Sequence, residues 1–399
     1  MSVADPTMTA KPASPAASYA VGIRDPRLDF FRGIAMFIIL IAHTPGNWLT
    51  LWIPARFGFS DATEIFVFCS GMASAIAFGR VFREQGLGMG SARVGFRVWQ
   101  VYWAHICLFI AIAATMVLLN AMFPEGERNY VNQLNLGHFY DRPMENLIGL
   151  LTLTYVPNYF DILPMYIVIL LMMPLMIFLA RIHVFLVVAV SIGIWIVANV
   201  GDVNFPAEPW SERKWFFNPL GWQLVFYTGF ALMAGWFRPP PVDKRLLWTA
   251  VVIVLIIVPV AYFRIYREFE VIKEWRSEWR FLFTKTDFGI LRYIHFLAVA
   301  YIAWVLVGPK GDNIQPRGHG PIARSWTVIL KVIMKVGQQS LAVFIASMYI
   351  ARLLGALFDQ VDRTHFTMLW VNALGFALII AVAYGAGWFK SQPWRKKRS

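Results

Sequence analysis

An arginine and a histidine eleven positions apart, Arg32 and His43, stand inside a strongly apolar stretch over residues 28–43. A charged group in hydrocarbon costs several kcal/mol, so each such residue invites a function and a partner. On a helix rising 1.5 Å per residue, the two side chains share nearly one face about 16 Å apart. Arginine can hold an anionic donor group by charge-assisted hydrogen bonds, and histidine near neutrality can take a proton from a sugar hydroxyl. The plainer account is a snorkelling arginine and an interfacial histidine.

A second cluster follows in Gly58-Phe59-Ser60-Asp61-Ala62-Thr63-Glu64. Ser60 suits a helix N-cap, and Asp61 and Glu64 suit the positive end of that helix. Capping alone accounts for the three. Alternatively, one acid orients the imidazole of His43 and raises its basicity. His105, Arg292, His295 and Arg352 are further polar residues in apolar stretches. They either line the same cavity or serve structure, with Arg292 pairing with Asp287 and His295 hydrogen-bonding a neighbouring helix. His138, His183, His319 and His365 fall in loops and form no metal constellation, and Cys69 and Cys107 lie in apolar runs, so neither a metal site nor a disulfide is expected. No Gly-x-Ser-x-Gly elbow occurs, so no serine nucleophile of that kind is marked.

The elements that must position these residues are membrane helices. With 58% hydrophobic and 15% charged residues, the 399-residue chain departs from soluble domains, and 16% aromatics exclude disorder. About 20 apolar residues cross a bilayer core. Ten stretches meet or approach that length, at 30–48, 61–78, 98–122, 162–179, 184–200, 220–236, 246–263, 288–307, 341–358 and 366–389. The fold class is therefore all-α, a polytopic integral membrane bundle of about ten transmembrane helices. With the N-terminus inside, the cytoplasmic segments hold 21 of the 36 Lys and Arg and the opposite segments 12, so both termini are placed in the cytoplasm. The net charge of +13 is then a topology signal and not a nucleic-acid footprint.

Residues 1–28 read as a disordered cytoplasmic tail, 29–390 as the membrane domain and 391–399 as a basic cytoplasmic tail. Segment 123–158, with Glu125, Glu127, Asp141 and Glu145, is either a solvated loop or part of a vestibule. Segment 264–285 suits a helix in the membrane interface, with Trp275 and Trp279 at headgroup level.

Arg24-Asp25-Pro26-Arg27-Leu28-Asp29-Phe30-Phe31-Arg32-Gly33, the Arg-x10-His pattern that His43 closes, and Gly58 to Glu64 together resemble the OpgC family, within the membrane acyltransferases called acyltransferase family three. The resemblance is closest over the first hundred residues. It implies a Gram-negative inner-membrane enzyme that succinylates osmoregulated periplasmic glucans from cytoplasmic succinyl-CoA, with no bound cofactor and with Arg32 and His43 as the functional pair. The wider group carries a cytoplasmic Arg-x2-Arg near the third span. Here Arg93 and Arg97 stand one residue further apart, as candidate donor-phosphate contacts that the charge bias of the loops also explains.

The expected site therefore has His43, Arg32, Asp61 and Glu64 as its catalytic group. Asp29, Ser60, Arg93, Arg97, His105 and Arg292 are the substrate-binding candidates. The expected partners are an acyl-CoA donor, an envelope glycan acceptor and the lipid bilayer. The rival reading is a proton-coupled transporter of an acyl group or small organic anion, with Arg32 as the clamp and His43, Asp61 and Glu64 as the relay. A transporter should show matched helix breaks in two halves, and Pro164, Pro174 and Pro259 do not pair that way.

Overall fold

The computed structural model describes residues 25–123 and 128–395, and the fold over them is helical without a strand. Its α-helices are α1 (Pro26–His43), α2 (Ala62–Met122), α3 (Gly137–Asp141), α4 (Pro143–Thr152), α5 (Ile162–Ile182), α6 (Val184–Val200), α7 (Pro219–Met233), α8 (Lys244–Ala261), α9 (Phe263–Tyr266), α10 (Glu270–Glu278), α11 (Ile290–Val307), α12 (Pro321–Gln338), α13 (Ser340–Gln360) and α14 (His365–Ser391). Most of the tail expected over 1–28, the acids Glu125 and Glu127, and the last basic residues from Lys396 onward lie outside the described residues.

The helices account for all ten apolar stretches, and among the described residues six are long and apolar enough to cross a membrane: α2, α5, α8, α11, α13 and α14. The other candidates fail for separate reasons. α6 has 17 residues, α7 has 15, and α1 gathers Arg27, Asp29 and Arg32 in its first two turns. α1 also stops at His43, short of the expected Trp48, because Thr44 precedes Pro45 and takes the extended backbone that a following proline imposes. Two expected spans, 61–78 and 98–122, are joined in α2. Its 61 residues are interrupted only at Gly86, where φ of 83° and ψ of −178° define a conformation essentially reserved for glycine. The protein is thus a multi-pass membrane protein built around α2, which packs against α1, α5, α7, α11 and α13.

α12 lies outside the ten apolar stretches, because only one of its faces is apolar. Trp326, Leu330, Ile333, Met334 and Gly337 recur at helical spacing, and this stripe packs on Phe30, Phe31 and Ile34 of α1. The two backbones nearly touch. A Cβ on Gly337 would stand 1.8 Å from the Asp29 carbonyl oxygen, and one on Gly33 would stand 2.1 Å from that of Ile333. Small residues permit such close approach between membrane helices.

Segment 123–158 is not a solvated loop over its described part. Leu134, Leu136, Leu150, Tyr155 and Val156 are buried, and α3 and α4 fold onto the bundle. Segment 264–285 contains the expected amphipathic helix as α10, with Trp275 packed beside Phe283 and Val271 turned outward.

Asp161, just ahead of α5, is buried and accepts the Phe216 N–H at 2.9 Å. Burial raises its carboxyl from 3.8 to about 6. The folded state therefore retains a proton that the unfolded chain releases between those values, so this group's contribution to stability falls as pH rises through that window. Asp161→Asn keeps the acceptor without the charge. It is expected to raise stability at pH 7 by up to about 3 kcal/mol and to flatten the profile between pH 4 and 6, read by thermal unfolding in detergent. A variant whose profile is as steep as wild type would assign the slope to other groups.

Candidate active site

His43 closes α1. Its Nδ1 lies 2.8 Å from the Ile39 carbonyl oxygen, which can only accept, so Nδ1 carries the proton and Nε2 keeps its lone pair. The ring meets Tyr159 edge to face at 5.4 Å between centroids. Tyr159 is itself held at φ of 90°, rare for a residue with a side chain, and its hydroxyl donates to the Met348 carbonyl at 2.6 Å. The Arg352 guanidinium carbon, from α13, lies over the same Tyr159 ring, 3.8 Å from its centroid. Lys285, Arg352 and Asp61 are the charged neighbours of the imidazole.

The N-terminus of α2 faces α11. Asp61 is the N-cap, and neither it nor Glu64 hydrogen-bonds His43. The Asp61 carboxylate accepts the Thr63 N–H at 2.7 Å, and Glu64 accepts the Asp61 N–H at 2.7 Å, closing a capping box. Their remaining oxygens take cations. Lys285 Nζ stands 2.5 Å from Asp61 Oδ2, and Arg292 Nη1 stands 2.6 Å from Glu64 Oε1. Arg292 thus pairs with Glu64, not with the expected Asp287, whose carboxylate accepts from Asn218 at 2.9 Å. One turn along α11, His295 Nδ1 accepts from the Ser60 backbone N–H at 3.2 Å and lies 2.7 Å from Ser60 Oγ. Ser60 is therefore a partner of His295 and not the helix cap. Gly58 makes room for that ring, since a Cβ there would stand 2.2 Å from His295 Cε1.

At the C-terminal end of α1 an open cleft of about 520 Å³ has walls that include Ala42, Thr44, Asn47, Trp48, Thr50, Arg56 and Arg363, while His43 between the first two does not line it. Buried Asn47 and Asn372 brace this wall through side-chain hydrogen bonds of 2.7 and 3.2 Å. At the other end of α1, Arg32 donates to Ser340 Oγ and borders a slot of about 30 Å³ with Arg97, Ser70 and Tyr166. Arg93 does not line the slot. It is exposed, with its guanidinium 5.9 Å from the Phe96 ring. Asp29 is buried where α1 meets α12. His105 is fully buried, with no hydrogen-bond partner for either ring nitrogen and Phe160 at 6.5 Å between centroids.

The profile of the family described as OpgC protein matches residues 24–391. The chain belongs to the OpgC family. Membership supports an acyltransferase-like role on glucans, and the matched range contains every residue of the site above. Among curated proteins and solved structures nothing matches the chain.

Within this OpgC domain the sequence reading missed Tyr159 and Lys285 and gave Arg352 no definite place. Tyr159 and Lys285 lie in irregular segments ahead of α5 and α11, where no period marks them, and only the packing of three helices brings them to His43.

Breaking a buried ion pair strands its partner. Arg292→Met is expected to lower unfolding free energy by about 3–5 kcal/mol, and adding Glu64→Gln should restore more than half of it. Thermal unfolding of the purified protein checks this. Losses that simply add in the double variant would mean the two groups are not coupled.

Proposed function

We propose that the protein is an inner-membrane O-acyltransferase that moves a short acyl group, succinyl from succinyl-CoA, to hydroxyls of periplasmic glucans. The observation that carries the reading is the His43 ring, fixed by the Ile39 carbonyl with an unprotonated Nε2, at the helix end whose neighbouring residues Ala42 and Thr44 line a cleft of a volume that suits a small-molecule or sugar ligand. A transporter relay would need carboxylates in hydrogen-bonded sequence with the imidazole, and here both acids are committed to cations.

In this reading all ten apolar stretches lie across or within the bilayer and both termini are cytoplasmic, as the distribution of Lys and Arg supports. The Arg32 end then faces the donor and the His43 end the acceptor. Arg32 and Arg97 hold the donor's phosphates, with Arg93 at the cytoplasmic approach. The slot between them has room for only one or two waters, so binding the pantetheine arm requires α5 and α13 to part from α2 there. His43 Nε2 takes the proton of a sugar hydroxyl, and the oxygen attacks the thioester carbonyl. The carbon–sulfur bond breaks, and the proton leaves with the CoA thiolate. Trp48 offers the sugar a flat apolar face with Asn47 and Thr50 nearby.

A deletion strain carrying His43→Ala, at membrane levels equal to wild type, is expected to make periplasmic glucans without the succinyl mass increment. The purified variant should lose about 10²- to 10⁴-fold in rate. Restoration of the increment by His43→Ala would exclude His43 as the base. A strain whose glucans gain no increment even with wild type would turn the assignment toward proton-coupled transport.

Trp48→Ala is expected to raise the acceptor KM about tenfold with little change in kcat, as loss of one stacking face does. An unchanged KM would place the acceptor elsewhere.

A further inference from the structure

The cleft at the end of α1 is lined by two guanidiniums, those of Arg56 and Arg363, and by no carboxylate among the described residues. Arg363 lies against the turn that follows α1. A Cβ on Gly46, whose φ is 75°, would stand 2.8 Å from Arg363 Nη2, so only glycine lets that backbone approach the guanidinium. Arg363 pairs with Asp359 at 2.7 Å, but the same Asp359 oxygen also serves Arg128 at 2.9 Å. Arg56 donates Nε to the Thr50 carbonyl at 2.9 Å and has no ion pair among the described residues. Arg56, Arg128 and Arg363 thus have one carboxylate between them. Like charges gathered on one concave wall raise one another's energy and draw an anion.

The rest of the wall narrows what carries that anion. Thr50 Oγ1 donates to the Asn47 carbonyl at 2.7 Å, which leaves its lone pairs for a donor on the ligand, such as a sugar hydroxyl. The Trp48 ring is held edge to face by His365, 5.4 Å between centroids, and offers a flat apolar surface. The guanidiniums only donate, and an ionised group is their strongest acceptor. A sugar bearing a negative substituent meets all three. A lipid phosphate alone would leave Trp48 and Thr50 without a role.

We propose that Arg56 and Arg363 bind the carboxylate of an acyl group already carried by the acceptor glycan, so that one transfer prepares the same glycan for the next. The proposal rests on the acyltransfer reading above. A dicarboxylic acyl group such as succinyl is esterified through one carboxyl and keeps the other ionised at neutral pH. The product of one turnover thereby brings the charge that balances the two arginines. Ala42 and Thr44 of the cleft wall flank His43 in the chain, so a glycan anchored there by a substituted sugar brings a neighbouring sugar to the end of α1.

The test offers the purified protein, in phosphatidylcholine vesicles with succinyl-CoA, an unmodified glucan oligosaccharide and the same oligosaccharide carrying one succinyl group. Wild type is expected to show a kcat/KM roughly 5- to 30-fold higher for the succinylated acceptor, through KM. That is the lower part of the range for charge-assisted contacts, because the cleft is open to solvent. The ratio should fall toward one in Arg56→Gln and in Arg363→Gln, shrink with added salt, and survive in part in Arg56→Lys. Arg56 holds no carboxylate, so Arg56→Gln strands no partner among the described residues. In wild type at low conversion, mass spectrometry should find multiply succinylated glucans beside unmodified ones, in excess of a random distribution.

A wild-type ratio of one or less, a random distribution, or a preference that persists in both glutamine variants overturns the proposal and leaves acyltransfer standing. Transfer to neither acceptor overturns both. A rate that depends on phosphatidylglycerol added to the vesicles and not on the charge of the acceptor, with that dependence lost in Arg56→Gln, would assign the cleft to a phospholipid headgroup and also overturn it.

Discussion

Glu64 is fully buried at the head of α2, and a carboxylate in that place is tolerable only when a cation reaches it. Arg292 does so from α11, across 228 positions of sequence. The rest of the site depends on this one constraint. Once the pair forms, α11 is locked in rotation, His295 must face Ser60 one turn later, and the backbone at Gly58 must leave space for the imidazole. Lys285, just ahead of α11, is then brought within reach of Asp61.

The same economy explains what His43 does not have. Its acidic neighbour Asp61, and Glu64 one turn further along α2, are committed to cations and to the capping box, so neither is available to hold the imidazole. Its tautomer is fixed within its own helix, by the carbonyl one turn back. That arrangement leaves Nε2 as the nitrogen with the free lone pair without a carboxylate hydrogen-bonded to the ring.

α12 links the two ends of this arrangement. Its apolar stripe lies against α1 near Asp29 and Gly33, and the chain then turns directly into α13 through Ser340, the partner of Arg32. α13 continues from Arg32 at one end to Arg352 and Asp359 at the other. One helix therefore contacts both ends of the Arg-x10-His pair, whose 16 Å separation follows from about three turns of α1.

Composition and periodicity alone established a helical membrane protein, the positions of its apolar stretches, and the pairing of Arg32 with His43 on one helix, because these are local properties of a 3.6-residue repeat in a chain that must face lipid. The motif at residues 24–64 also carried the family. Tertiary packing decided the rest. Which cation meets Glu64, why Asp287 serves Asn218 instead, how Tyr159 comes between His43 and Arg352, and that 321–338 is a helix laid against α1 all depend on contacts between residues distant in sequence. Such pairings are set by desolvation and by the geometry of helices in contact. Residue types and spacing constrain neither across two hundred residues, since a buried arginine reads the same whether its partner lies five positions away or two hundred and twenty-eight.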